Sequence, residues 1–169
     1  MLEDYREPRA KANEYAEEKG MILQAEPLGW GYDGIVVSTN KRSAIKAFKY
    51  KELFRKELAV YLRLTERDLT SIHEFVIPRM LGYCARRWLI EMEIVEPPFI
   101  VDFASAYLDT PPDYDDELLE TEERKRREEF GDNWSKVTIL LANLRRHGIY
   151  LVDANPRNIA FSDPDHESE

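Results

Sequence analysis

The chain has 169 residues, enough for one domain or two small lobes, and a chain near this size buries about 70% of its unfolded surface. Hydrophobic residues make up 43% and charged residues 34%, which excludes a disordered chain. The formal net charge of −9 excludes non-specific nucleic-acid binding, because a phosphate backbone needs a basic partner.

Cys84 is the one cysteine, so neither an internal disulfide nor a cysteine zinc site is available; a small packed residue in a reduced, cytoplasmic protein is expected. No apolar run approaches the roughly 20 residues that cross a bilayer. The charged start, residues 1–20, lacks the apolar core of a signal peptide.

In chain order, residues 3–19 are rich in Glu, Lys, Arg and Ala and predict a polar helix that stops at Gly20. An apolar run at 21–24, the β-branched Ile35-Val36-Val37 and the run 43–48 predict three strands of an antiparallel meander, with a turn at 38–41. Leu53, Phe54, Leu58, Val60, Tyr61 and Leu64 recur at spacings of three and four, which predicts an amphipathic helix over 51–66. Residues 79–96 read as two further strands around Arg86-Arg87, the second stopped by Pro97-Pro98. A solvated helix is expected over the charged segment 113–130. Residues 134–146 predict another helix with Val137, Leu140, Leu141 and Leu144 on one face, ending at His147-Gly148. Short apolar runs at 149–152 and 159–161 precede an acidic tail.

Four features carry chemistry. Gly29-Trp30-Gly31-Tyr32-Asp33-Gly34-Ile35-Val36 has the form G-x-G-x-x-G-x-V. A dinucleotide fold would open a helix after the third glycine. Here a strand follows, so the glycines belong to a hairpin, either an ordinary turn or one whose backbone N–H groups can approach phosphates. Lys46 follows in the next strand, in Ala44-Ile45-Lys46. Glu57 sits on the apolar face of the helix over 51–66, where a carboxylate is costly unless paired. Lys46 is its nearest upstream partner, and Glu52 is the competitor for that role. The strand 89–95 and the spacing D-x-x-x-x-N from Asp153 to Asn158 complete the set. His73, His147 and His166 are isolated and no G-x-S-x-G occurs, so hydrolase chemistry has no support; His147 suits a helix C-terminus.

The order of these elements over residues 21–161 resembles the protein-kinase-like superfamily. The resemblance implies an α+β fold: an antiparallel five-stranded N-lobe sheet with one packed helix, and a reduced, mainly helical C-lobe. Residues 1–20 would be an N-terminal polar helix, 21–96 the N-lobe and 97–169 the truncated C-lobe. ATP and Mg2+ are the implied cofactors. Gly29, Gly31, Gly34, Val36, Ala44, Lys46, Met92, Glu93 and Val95 would line the nucleotide site, with the backbone from Glu93 to Val95 on the adenine edge. Lys46, Glu57 and Asp153 would take the catalytic roles, Asp153 orienting the hydroxyl of a protein or small-molecule acceptor, and Asn158 would ligate the metal.

The sequence departs from the family pattern in two ways. Leu151 and Val152 stand where His-Arg precedes the aspartate, which removes control through a phosphorylated activation loop. No Asp-Phe-Gly follows Asn158, so Asp163, with Asp165 beside it, is the candidate substitute metal ligand. A pseudokinase that binds nucleotide, or only scaffolds, is the alternative reading. Without the helices that normally cover it, the face carrying Leu140, Leu141 and Leu144 needs another cover, either the segment 99–130 or a second chain; an exposed patch in the isolated subunit, and with it a homodimer, is the expectation. No nucleic-acid or membrane partner is expected.

Overall fold

The structure, a computed structural model, describes residues 3–162. In chain order its elements are α1 (Arg6–Glu18), β1 (Leu23–Trp30), β2 (Gly34–Thr39), β3 (Ser43–Phe48) and α2 (Lys51–Glu66). Two short strands follow, β4 (Ser71–Ile72) and β5 (Phe75–Val76), then β6 (Met80–Cys84) and β7 (Leu89–Glu93). The remainder is β8 (Phe99–Ile100), β9 (Tyr107–Leu108), α3 (Asp116–Phe130), α4 (Trp134–Arg146), β10 (Ile149–Tyr150) and β11 (Ile159–Ala160). The chain forms two compact units, residues 1–67 with 78–94, and residues 68–77 with 95–169.

The first unit is a five-stranded antiparallel sheet in the order β1-β2-β3-β7-β6, with α1 and α2 packed on it. Every residue of β3 is buried, as a central strand covered on both faces requires. Ile45 and Ala47 join Ile35, Val37 and Leu89 in a cluster with Ala12, Tyr15 and Ala16 of α1. The alternate residues Lys46 and Phe48 meet α2, where Phe48 packs edge-on against Phe54 at 5.8 Å. Period-two alternation on β3 thus sends Lys46 to the α2 face.

The polar character of α1 conceals its role. Ala12 and Ala16 are fully buried, so the helix is a layer of this unit, not a separate appendage. Its end is a Schellman motif: Gly20, at φ +65°, donates its N–H to the Glu17 carbonyl, and Met21 donates to Ala16. Glu91 on β7 anchors it, accepting from Tyr15 Oη at 3.0 Å, Lys19 Nζ at 3.2 Å and Ser43 Oγ at 2.8 Å. Burial pushes the Tyr15 phenol up. Gly82 beside it has no room for a side chain, since a Cβ would lie 2.8 Å from Tyr15 Oη.

The second unit holds a four-stranded sheet, β11-β8-β5-β4, a two-stranded sheet, β10-β9, and helices α3 and α4. Its strands are two residues long, too short for an alternating pattern, and β4, β5, β8 and β9 have no sequence signal. The run 149–152 pairs only through Ile149 and Tyr150, with Leu108 and Tyr107. As expected, α3 is solvated: Phe130 is its one buried residue, and Asp115 caps its start by accepting from the Leu118 N–H at 2.8 Å.

The expectation of an exposed leucine face on α4 is corrected. Leu140 and Leu144 are fully buried and Leu141 is 5% exposed, with α4 packed on α3, β4 and β10. The segment 99–130 and the short strands supply the cover, which removes the stated basis for a homodimer through this helix.

Two boundaries also differ from the sequence reading of 1–20, 21–96 and 97–169. Residues 68–77 belong with the second unit because β5 pairs with β8 and Ile77 donates to the Thr70 carbonyl. Residues 95 and 96 belong there too.

Candidate functional site

The β1–β2 hairpin, the glycine-rich segment, turns at Gly31, whose N–H donates to the Gly34 carbonyl at 3.0 Å. Gly29 and Trp30 still pair in the sheet, with Val36 and Ile35. The three glycines differ in what requires them. At Gly34 a Cβ would stand 2.1 Å from the Ala47 carbonyl oxygen, so close strand packing alone excludes a side chain. At Gly29 no protein atom lies within 4 Å of a Cβ, and at Gly31 the nearest is Asp33 Oδ1 at 3.4 Å. Packing within the chain therefore gives no reason for glycine at 29.

Lys46 is buried on β3 and Glu57 is fully buried on α2. Lys46 Nζ donates to Glu57 Oε2 at 2.8 Å, the pairing expected from the sequence. Glu52, the competitor, has a side chain 75% exposed and faces Arg55. Helical spacing explains the outcome: Phe54, Glu57, Val60, Tyr61 and Leu64 share the buried face.

Asp33 is the residue that sequence reasoning missed. Its Oδ2 lies 2.6 Å from Lys46 Nζ. The contact is an ion pair and not an aligned hydrogen bond, as Oδ2 has no hydrogen-bonding partner among the described residues. The Asp33 carbonyl accepts from the Lys49 N–H at 2.8 Å, and Tyr5 Oη donates to the Gly31 carbonyl at 3.2 Å, so the tip is pinned on both sides of Tyr32.

The remaining candidates for the adenine side have mixed placements. Ala44 and Met92 are buried, Val36 is half-buried, and Tyr61 Oη approaches Met92 Sδ at 3.5 Å. The Glu93 N–H donates to the Arg79 carbonyl at 2.9 Å. Val95 lies in the second unit and is half-buried.

The second constellation is the segment 153–158. Asn158 Nδ2 donates to the Asp153 carbonyl at 2.9 Å, and Asn155 Nδ2 donates to Asp153 Oδ1 at 2.9 Å. Asn155 Oδ1 in turn accepts from the Arg157 N–H at 2.9 Å, an Asx turn, and the Asn158 N–H donates to the Asn155 carbonyl. The Asp153 N–H donates to Ser105 Oγ at 3.2 Å, while Arg126 of α3 donates to the Val152 carbonyl at 2.6 Å. Asp153 is exposed and Asn158 buried. The loop thus brings Asp153 and Asn158 together and holds the aspartate at the surface.

No protein family, curated protein or solved structure matches the chain.

A cleft of about 450 Å³ opens beside this loop, lined by Glu122, Lys125, Arg126 and Glu129 of α3 and by residues 152–157. Three carboxylates and three cations therefore share its walls, so the lining is neutral in a chain of net charge −9. With Asn158 Nδ2 turned to the Asp153 carbonyl, its Oδ1 is the atom left to face a ligand or metal. Asp163 and Asp165 lie outside the described residues. Among the described residues no helix is long and apolar enough to cross a membrane.

Proposed function

We propose that the protein is a small kinase-like nucleotide-binding protein that transfers the γ-phosphoryl group of ATP to a hydroxyl acceptor. The observation that carries this reading is the buried Lys46–Glu57 pair at 2.8 Å, placed on the strand that follows a glycine hairpin. A buried ammonium held by a carboxylate is pre-positioned to meet phosphate oxygens. Glycine at 29, which no packing within the chain explains, leaves the hairpin backbone open to the same group. On this reading Asp153 orients the acceptor hydroxyl, and the neutral cleft beside it admits a small polar acceptor. Asn158 Oδ1 is suited to one ligand position of Mg2+, an ion that takes few protein ligands and completes its shell with phosphate oxygens and water. The ion would neutralise charge on the transferring group.

A second reading, a pseudokinase that binds nucleotide or only scaffolds, is favoured by one observation: Asp33 as well as Glu57 contacts Lys46, so the ammonium is already charge-paired in the free protein. Thermal stability measured against ATP, with and without Mg2+, for the native protein and for Lys46→Ala, separates the readings, since a ligand of the native state raises its stability by mass action. A magnesium-dependent rise lost in Lys46→Ala supports phosphoryl transfer. A rise indifferent to magnesium supports the second reading, and no rise removes the nucleotide site.

A further inference from the structure

We propose that Asp33 holds the place of a phosphate: the glycine hairpin folds its own carboxylate onto Lys46, and a bound polyphosphate must displace it. This inference rests on the nucleotide-site reading and adds a self-inhibitory contact to it. Two carboxylates of the first unit contact one buried ammonium, and they do so differently. Glu57 makes an aligned hydrogen bond from a fully buried position on a long helix. Asp33 makes a close but unaligned ion pair from the hairpin tip, with a side chain 19% exposed. Glu57 is therefore the fixed partner and Asp33 the exchangeable one.

The geometry makes that exchange local. The backbone on each side of Tyr32 is held by the Lys49 N–H and by Tyr5 Oη, so the tip stays in place while the Asp33 side chain turns about its own torsions. Leaving Lys46 exposes the carboxylate to water through the side on which it is already open. An incoming phosphate brings the same charge and the same acceptor oxygens to the ammonium. Glu57 already holds one side of the ammonium, so Asp33 and an incoming phosphate compete for the position Asp33 fills, and their like charges repel at close range. Ligand affinity is reduced by the energy of the Asp33 contact that must be broken.

The test measures calorimetric affinities of the full chain for ATP, inorganic tripolyphosphate and adenosine, each with and without Mg2+. The proteins are native, Asp33→Asn, Asp33→Ser and Lys46→Met. Removing the Asp33 charge is expected to tighten ATP and tripolyphosphate by about tenfold or more, with adenosine unchanged and Lys46→Met binding neither polyphosphate. Asp33→Ser keeps the test open if the asparagine variant misfolds, and thermal unfolding of each variant reports that directly. Unchanged polyphosphate affinity in a folded Asp33 variant, with the native protein binding, overturns the displacement and leaves the nucleotide reading standing. Weaker binding confined to Mg2+ also overturns it and makes Asp33 a metal ligand instead. An equal gain for adenosine overturns the charge argument. Absence of ATP and tripolyphosphate binding by native and Asp33 variants alike overturns the nucleotide reading, and this inference with it.

Discussion

Replacing Lys46 with methionine tests the energetics of the buried pair. The lysine side chain is 6% exposed and that of Glu57 1%, so neither charge has bulk water to fall back on. Methionine keeps the length and apolar stem but removes the charge, leaving the Glu57 carboxylate buried beside Asp33 with no ammonium between them. Breaking a buried pair from one side costs about 3–5 kcal/mol, whereas an exposed pair is worth about 0.2–1 kcal/mol. The Phe48 ring, 5.0 Å from Nζ, loses a smaller cation–π contribution. For a chain of this length each kcal/mol shifts the melting temperature by about 2–4 °C, so the fall is roughly 6–20 °C. Urea and thermal unfolding followed by circular dichroism measure it. The double variant Lys46→Met with Glu57→Leu regains most of the loss, because it removes both charges and not one. A single-variant loss under about 1 kcal/mol, or a double variant equal to the sum of the singles, refutes the argument.

The glycines separate by the same logic. Gly34→Ala forces a Cβ against the Ala47 carbonyl and is expected to cost about 1–3 kcal/mol or more in urea unfolding. Gly29→Ala meets no neighbour and is expected to stay within about 0.5 kcal/mol of the native stability while weakening ATP binding. In the α1 anchor, Glu91→Leu strands the Tyr15 hydroxyl at a cost of about 1–3 kcal/mol, while Ser43 Oγ keeps Thr39 Oγ1 at 2.9 Å, and amide hydrogen exchange in α1 should accelerate first. At the outer edge of that helix, Arg87 donates to both carboxylate oxygens of Glu18, including Nη1 to Oε2 at 2.9 Å, and holds the Glu18 carboxyl below its ordinary value of 4.5. The folded value being the lower one, this contribution is complete above pH 4.5 and is lost as pH falls through the folded value. Arg87→Ala should therefore lie furthest below the native protein near neutral pH, and the two stability curves should converge as the solution is acidified.

Much of the first unit is legible in the chain because its elements are long enough to show a period. The helix over Lys51–Glu66 and the meander through Ser43–Phe48 occupy their expected places, and burial of Glu57 followed from its position between Phe54 and Val60. The contribution of α1 was hidden because its buried stripe is Ala12, Tyr15 and Ala16, small or amphipathic residues in a charged segment. The second unit was legible only in its helices, since two-residue strands such as Phe75–Val76 and Phe99–Ile100 carry no alternation, and pairing alone defines them. At the candidate site the Lys46–Glu57 pairing was readable from apolar context, whereas Asp153 and Asn158 stood out only by their spacing and the resemblance it carries, with no contact between them expected. Asp33 was not, because its ion pair depends on where the hairpin tip folds, which residue type alone does not specify.

The central claim is that the hairpin tip and Lys46 receive the phosphates of a nucleotide. Its most direct test is heteronuclear NMR of the native protein titrated with ATP and Mg2+, observing backbone amides and lysine side-chain ammonium groups. The account predicts that the amides of Gly29, Gly31 and Gly34 and the Lys46 ammonium shift together, with one common affinity. Shifts confined to residues away from this hairpin, or no shifts at millimolar ATP, would contradict it.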